Sequence, residues 1–173
     1  MENGLLDCEQ YLEEAMAEHA TAQCPPLLAQ ALNYAVFPGG ARVRPKICKA
    51  VALANNSSDV GLANAAASAI ELLHCASLVH DDLPCFDDAT QRRGKPSVHA
   101  KFGERIAVLT GDALIVAAFQ TLATHAIHAV RTERVPLVTA IVARGVGAPH
   151  GICAGQAWEC ERSVDLSRYH RAK

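Results

Sequence analysis

The sequence predicts an all-α protein, on three observations. Half of the residues are apolar but only 5% are aromatic, and alanine is abundant, a balance that favours close-packed helices over a sheet sandwich. Apolar residues recur at helical spacing through most of the chain, and no stretch alternates with period two for long. Strong breakers separate the periodic runs, above all Phe37-Pro38-Gly39-Gly40 and Asn55-Asn56-Ser57-Ser58.

Residues 4–22 carry Leu5, Leu6, Tyr11, Leu12, Ala15 and Met16 at amphipathic spacing, and Cys24-Pro25-Pro26 then opens a second helix over 26–36. A third covers 44–54. The fourth, 59–83, is apolar or small on every side, as expected of a helix in the middle of a bundle. Further helices are expected over 104–129, 134–147, 149–162 and from Leu166 onward. No internal repeat or low-complexity segment interrupts them, and residues 1–173 are expected to form a single domain.

A formal net charge of −2 leaves no general field for nucleic acid or an anionic membrane. The seven cysteines form no C-x-x-C pair, the N-terminus lacks a charged-then-apolar leader, and no apolar run is expected to span a membrane. A cytoplasmic chain with reduced thiols is the expectation.

Chemistry concentrates where the fourth helix ends. Leu73-His74-Cys75-Ala76-Ser77-Leu78-Val79-His80 runs into Asp81-Asp82, crosses Leu83-Pro84-Cys85-Phe86, and meets Asp87-Asp88 and then Arg92-Arg93-Gly94. Four carboxylates this close repel one another unless a cation or solvent neutralises them. Carboxylate oxygen ligands suit Mg²⁺, which takes one or two carboxylates and fills its remaining positions with water and substrate phosphate. Arginines just beyond match phosphate oxygens. The ordinary alternative is an acidic helix end with a solvated basic loop. The ordered set points instead to diphosphate chemistry.

That order closely resembles the first aspartate-rich motif of the trans-isoprenyl diphosphate synthases, the farnesyl and geranylgeranyl diphosphate synthase family. The resemblance implies an isoprenoid-synthase-type helical bundle around an apolar cavity. It implies a Mg²⁺-dependent prenyltransferase that joins isopentenyl diphosphate to an allylic diphosphate, acting as a homodimer. Asp81, Asp82, Asp87 and Asp88 would hold the metal. Arg92 would grip the allylic diphosphate and Arg93 the isopentenyl diphosphate. Gly39-Gly40-Ala41-Arg42-Val43-Arg44-Pro45 resembles the family's G-G-K-R-x-R-P segment in the isopentenyl diphosphate site, with Arg42 and Arg44 matching its arginines and Ala41 replacing its lysine. His74, Ser77 and Asp81 share one helical stripe, and the family has a histidine at the position of His74 in the same site. Gly111-Asp112-Ala113-Leu114 and Gly155-Gln156-Ala157-Trp158-Glu159 resemble two further family helices. Lys173 falls where a family lysine contacts the allylic diphosphate.

Product length follows from the same resemblance. In the family a large aromatic five positions before the first aspartate stops the tail at fifteen carbons; Ala76 holds that position here, with Ser77 beside it. The segment Pro84 to Ala89 also resembles bacterial geranylgeranyl diphosphate synthases, so a twenty-carbon product is expected, with farnesyl diphosphate as the alternative. A non-catalytic partner subunit of the same fold is the reading from a different class. Family members are longer than this chain and carry a second aspartate-rich motif, so an N-terminal portion, inactive alone, is expected.

Overall fold

The computed structural model describes residues 8–128 and 133–172. Its helices are α1 (Cys8–Ala17), α2 (Pro26–Val36), α3 (Val43–Ala54), α4 (Val60–Asp81), α5 (Val98–Phe102), α6 (Glu104–His128), α7 (Arg134–Val146), α8 (Ile152–Trp158) and α9 (Leu166–Ala172). Among the described residues the only strands are β1 (Gln91–Arg92) and β2 (Lys95–Pro96), an antiparallel pair in the register Gln91↔Pro96 and Arg92↔Lys95. The all-α expectation therefore holds. The chain divides between residues 129 and 130 into two compact units, α1–α6 with the hairpin, and α7–α9.

In the first unit α4 is the centre. Asp59 caps its start, accepting the Leu62 amide at 2.9 Å. Thirteen of its 22 residues are buried on all sides, and it packs most extensively on α6 and next on α3. α6 meets it with Ala107, Leu114, Ala117, Ala118 and Leu122, all without exposure; the alanines let the two axes approach closely. Leu12 and Met16 of α1 and Ala31, Leu32 and Val36 of α2 complete this core.

Three expectations change. The first helix stops at Ala17, because the amides of His19 and Ala20 both turn back to the Met16 carbonyl; its residues 4–7 lie outside the described residues. The helix expected over 149–162 is confined to Ile152–Trp158, starting only after Pro149 and an extended Gly151. Contrary to the sequence reading, α4 and α6 each contain a 22-residue stretch long and apolar enough to cross a membrane; single charges such as Glu71 and Asp112 interrupt these runs without making them polar. The α4 stretch is 67% buried within the protein, as a core helix is.

In the second unit, α8 and α9 pack together. Asp165 accepts the Ser167 and Arg168 amides at 3.0 and 3.2 Å to start α9, and Tyr169 donates its hydroxyl to Glu159 at 2.9 Å.

Candidate active site

The aspartates sit where a helix least favours negative charge. Asp81 is the last residue of α4 and Asp82 its C-cap, at the negative end of the helix dipole. The following loop folds back to satisfy the terminal carbonyls: Leu83 donates to His80 at 3.1 Å, Asp87 to Asp81 at 3.0 Å and Ala89 to Asp82 at 3.1 Å. Those bonds bring the backbones of Asp81 and Asp87 together, six residues apart in sequence. The local negative charge calls for cations from outside the helix.

Arg92 is one of them. Its Nε donates to Asp82 at 2.9 and 3.2 Å, and its Nη2 makes a very short contact to the same carboxylate while lying 3.9 Å from Asp81. The bond to Asp82, against the cost of burial, raises the Arg92 pKa above its ordinary value. Asp82 itself is only 2% exposed, so the carboxylate expected among the metal ligands is turned inward and engaged by Arg92. Asp81 is one-third exposed, and Asp87 and Asp88 are exposed. Among the described residues no three metal-binding side chains converge. Mg²⁺ does not require that, since one or two carboxylates suffice when water and phosphate complete its shell. Asp81 and Asp87, joined through their backbones at a helix end carrying excess negative charge, fit it.

A hairpin carries both arginines. Arg93 and Gly94 join β1 to β2 with φ of 54° and 75°, the paired left-handed conformation of the tightest hairpin turns. Tyr34 of α2 fixes its far side, donating its hydroxyl to the Pro96 carbonyl at 2.8 Å. Arg92 is thereby directed at Asp82, while Arg93 lies over Gly40: a Cβ at Gly40 would come within 2.8 Å of the Arg93 guanidinium carbon. An open cleft between α2, α4 and the hairpin is lined by Gly39, Cys75, Leu78, Asp82, Arg92 and Arg93 among others.

His74 joins the second arginine. Burial first, then the positive charges of Arg44 and Arg93, lower its pKa. Gly40, Arg44, His74 and Arg93, dispersed over 54 residues of sequence, therefore gather in one basic neighbourhood beside the acidic one. Ser77 is half-buried and donates its hydroxyl to the His74 carbonyl at 2.8 Å. Ala76 is 1% exposed and packed in the core. Lys173 lies outside the described residues, and Gln156 and Glu159 belong to the second unit.

Arg42 departs from the expected pattern. It is 5% exposed, and its guanidinium bonds Glu9 (2.8 and 3.0 Å), Glu71 (2.8 Å) and the Val36 carbonyl (2.9 Å). Burial works against its charge, but the two glutamates more than offset it and raise its pKa. Sequence reasoning passed over Glu71, although it is the only acid in α4 before Asp81 and a lone acid in an apolar helix calls for a partner. Nearby, burial pushes the Cys75 thiol up to about 11, so it stays protonated and inert. His80 was missed as well. Its ring packs against Gly111 of α6, where any Cβ would collide with it, and its Nε2 lies 3.3 Å from the Val108 carbonyl.

An acidic helix end beside a basic pocket, within an all-α bundle, defines a class, and the chain belongs to it: the family model for polyprenyl synthetase matches residues 25–172. Over 170 residues the chain is 54% identical to a geranylgeranyl diphosphate synthase of Cereibacter sphaeroides, covering 95% of this chain and 58% of that protein. It is 52% identical over 165 residues to a geranylgeranyl diphosphate synthase of Rhodobacter capsulatus, covering 95% of this chain and 56% of the relative. Among solved structures, a geranyltransferase from Legionella pneumophila superposes with a TM-score of 0.82 at 33% identity, over 93% of this chain and 56% of that one. An FPP/GFPP synthase from Zymomonas mobilis gives 0.79 at 35% identity, over 96% and 63%. The chain thus spans a little over half the length of the curated bacterial relatives it matches.

Proposed function

We propose that residues 1–173 are part of a single-domain geranylgeranyl diphosphate synthase, which condenses isopentenyl diphosphate with an allylic diphosphate. The observation that carries this reading is the hairpin, which points Arg92 at the aspartates and Arg93 at Gly40 and the His74 neighbourhood. Two diphosphates need two such cationic sites side by side. The names of the two bacterial relatives support the twenty-carbon product.

In this reading Asp81 and Asp87, with Asp88 adjacent, would hold Mg²⁺, which when bound would supply Lewis-acid charge to the allylic diphosphate. Arg92, held by Asp82, adds fixed positive charge at the same oxygens. Gly40, Arg44, His74 and Arg93 bind the isopentenyl diphosphate and present its double bond to the allylic carbon. As the allylic C–O bond breaks, that double bond attacks the cation, and loss of a proton restores an alkene one isoprene unit longer. The apolar wall of α4 keeps water from the cation. Lys173 is assigned to the allylic diphosphate. The exposed apolar residues of α6, Leu109 and Val116, suit a homodimer, and a cytoplasmic location fits the proposed substrates.

The full-length protein, given labelled isopentenyl diphosphate and Mg²⁺ with dimethylallyl diphosphate or farnesyl diphosphate in separate assays, tests this. Labelled twenty-carbon diphosphate is expected, and Ala76→Tyr is expected to shorten the product made from smaller primers to fifteen carbons. A wild-type product that already stops at fifteen from dimethylallyl diphosphate favours the farnesyl alternative, and no incorporation with either primer favours a non-catalytic partner subunit.

A further inference from the structure

We infer that Arg42 is a positioning residue for the isopentenyl diphosphate subsite: through Glu71 and Glu9 it fixes the turn between α2 and α3, so that Gly40 and Arg44 meet Arg93 and His74. This rests on the proposed function and identifies what assembles one of its two subsites.

Arg42 lies midway between Gly40 and Arg44, and it is the buried point of that turn. Its backbone is left-handed, with φ of 50°, at the start of α3, and no side chain caps the helix there. One guanidinium binds three separate elements: Glu9 of α1 through two bonds, Glu71 of α4, and the last carbonyl of α2 at Val36. A planar fork with several directed donors fixes orientation as well as place, which a point charge on a flexible stem does not. Glu71 is three residues before His74, on the same face of α4 within one turn. The Arg42–Glu71 bond therefore sets the turn against the stretch of α4 that carries His74.

A buried guanidinium with these four bonds has no direct route to an anion in the open site. Its influence on a diphosphate passes through Gly40 and Arg44. Purely structural support makes a different prediction, in which substitution lowers the folded fraction while the molecules that fold bind both diphosphates as before.

Arg42→Lys and Glu71→Gln in the full-length protein separate these cases. Titration calorimetry measures isopentenyl diphosphate, which cannot react without its allylic partner, and separately a non-ionising farnesyl thiolodiphosphate with Mg²⁺. For folded Arg42→Lys, isopentenyl diphosphate affinity is expected to fall by at least about tenfold, the scale set by small misplacements of binding groups, with a much smaller change for the allylic analogue. In turnover, the KM for isopentenyl diphosphate rises more than the KM for the allylic substrate. Unchanged affinity for isopentenyl diphosphate, or equal loss for both ligands, overturns the inference. Should neither variant fold, Glu9→Gln, which keeps the Glu71 bond, is expected to give a smaller loss with the same selectivity; no loss there also overturns it. Wild-type protein that binds neither ligand overturns the functional reading and this inference with it, whereas a wild type that binds both beside an equally competent Arg42→Lys overturns the inference alone.

Discussion

Asp81 and Asp82 are neighbours in sequence with opposite surroundings: the side chain of one is 32% exposed, that of the other 3% and held by Arg92. Their substitutions should differ in kind. Asp81→Asn is expected to abolish turnover while stability holds or rises slightly, since it removes a negative charge from the negative end of α4. Asp82→Ala strips Arg92 of its partner and should cost about 1.5–3 kcal/mol of stability, the range for hydrogen bonds to charged groups. Denaturant melts paired with turnover assays check both; full activity in Asp81→Asn would refute the metal assignment. His74 gives a pH prediction. Its folded pKa is depressed, so between that value and the unfolded value of about 6.5 the unfolded chain binds more protons. The contribution to stability is complete above about pH 6.5 and is lost as pH falls through the folded pKa. Acidification should therefore destabilise His74→Asn less than wild type, which melts across that range would reveal. The aspartates, His74 and the two arginines were legible because they follow one another along a helix and its turn. The Arg42–Glu71 pair was not, since residues 29 apart carry no local sign of meeting.

Between elements, the crossing of α4 and α6 depends on Gly111. His80 fills the space a side chain there would need. Gly111→Ala is expected to destabilise by about 1–3 kcal/mol, overpacking outweighing the gain in helix propensity. Adding His80→Ala should recover most of that loss, because removing the ring removes the clash, and a double-mutant cycle with no coupling would contradict the contact. The boundaries of α2 and α3 were readable from Pro25-Pro26, Pro38-Gly39-Gly40 and Asn55-Asn56. The hairpin was not, because strands of two residues are too short to show an alternating pattern. Only the turn residues Arg93-Gly94 hinted at it, and their charge drew the reading toward binding.

At the scale of the molecule, apolar surface remains uncovered in the first unit. Val43, Ile47 and Val51 form a stripe along α3, each more than half exposed, and Leu109 and Val116 of α6 are 51% and 62% exposed. Surface of this kind favours association. Sedimentation should show concentration-dependent self-association, shifted toward monomer by Val116→Lys. If the mass does not change, the α6 stripe is not the contact and the α3 stripe is the next to test.

The hairpin has one more consequence. With Arg92 committed to the aspartate side and Arg93 to Gly40, the tight turn makes the pair a short bracket between two sides of one cleft. A ligand that draws one arm toward itself moves the other. By thermodynamic reciprocity, whatever factor an allylic diphosphate analogue imposes on isopentenyl diphosphate affinity must be returned in the opposite direction. Loosening the bracket with Arg93-Gly94 replaced by a longer glycine linker should bring that factor toward one, a change that paired titrations in both orders would measure.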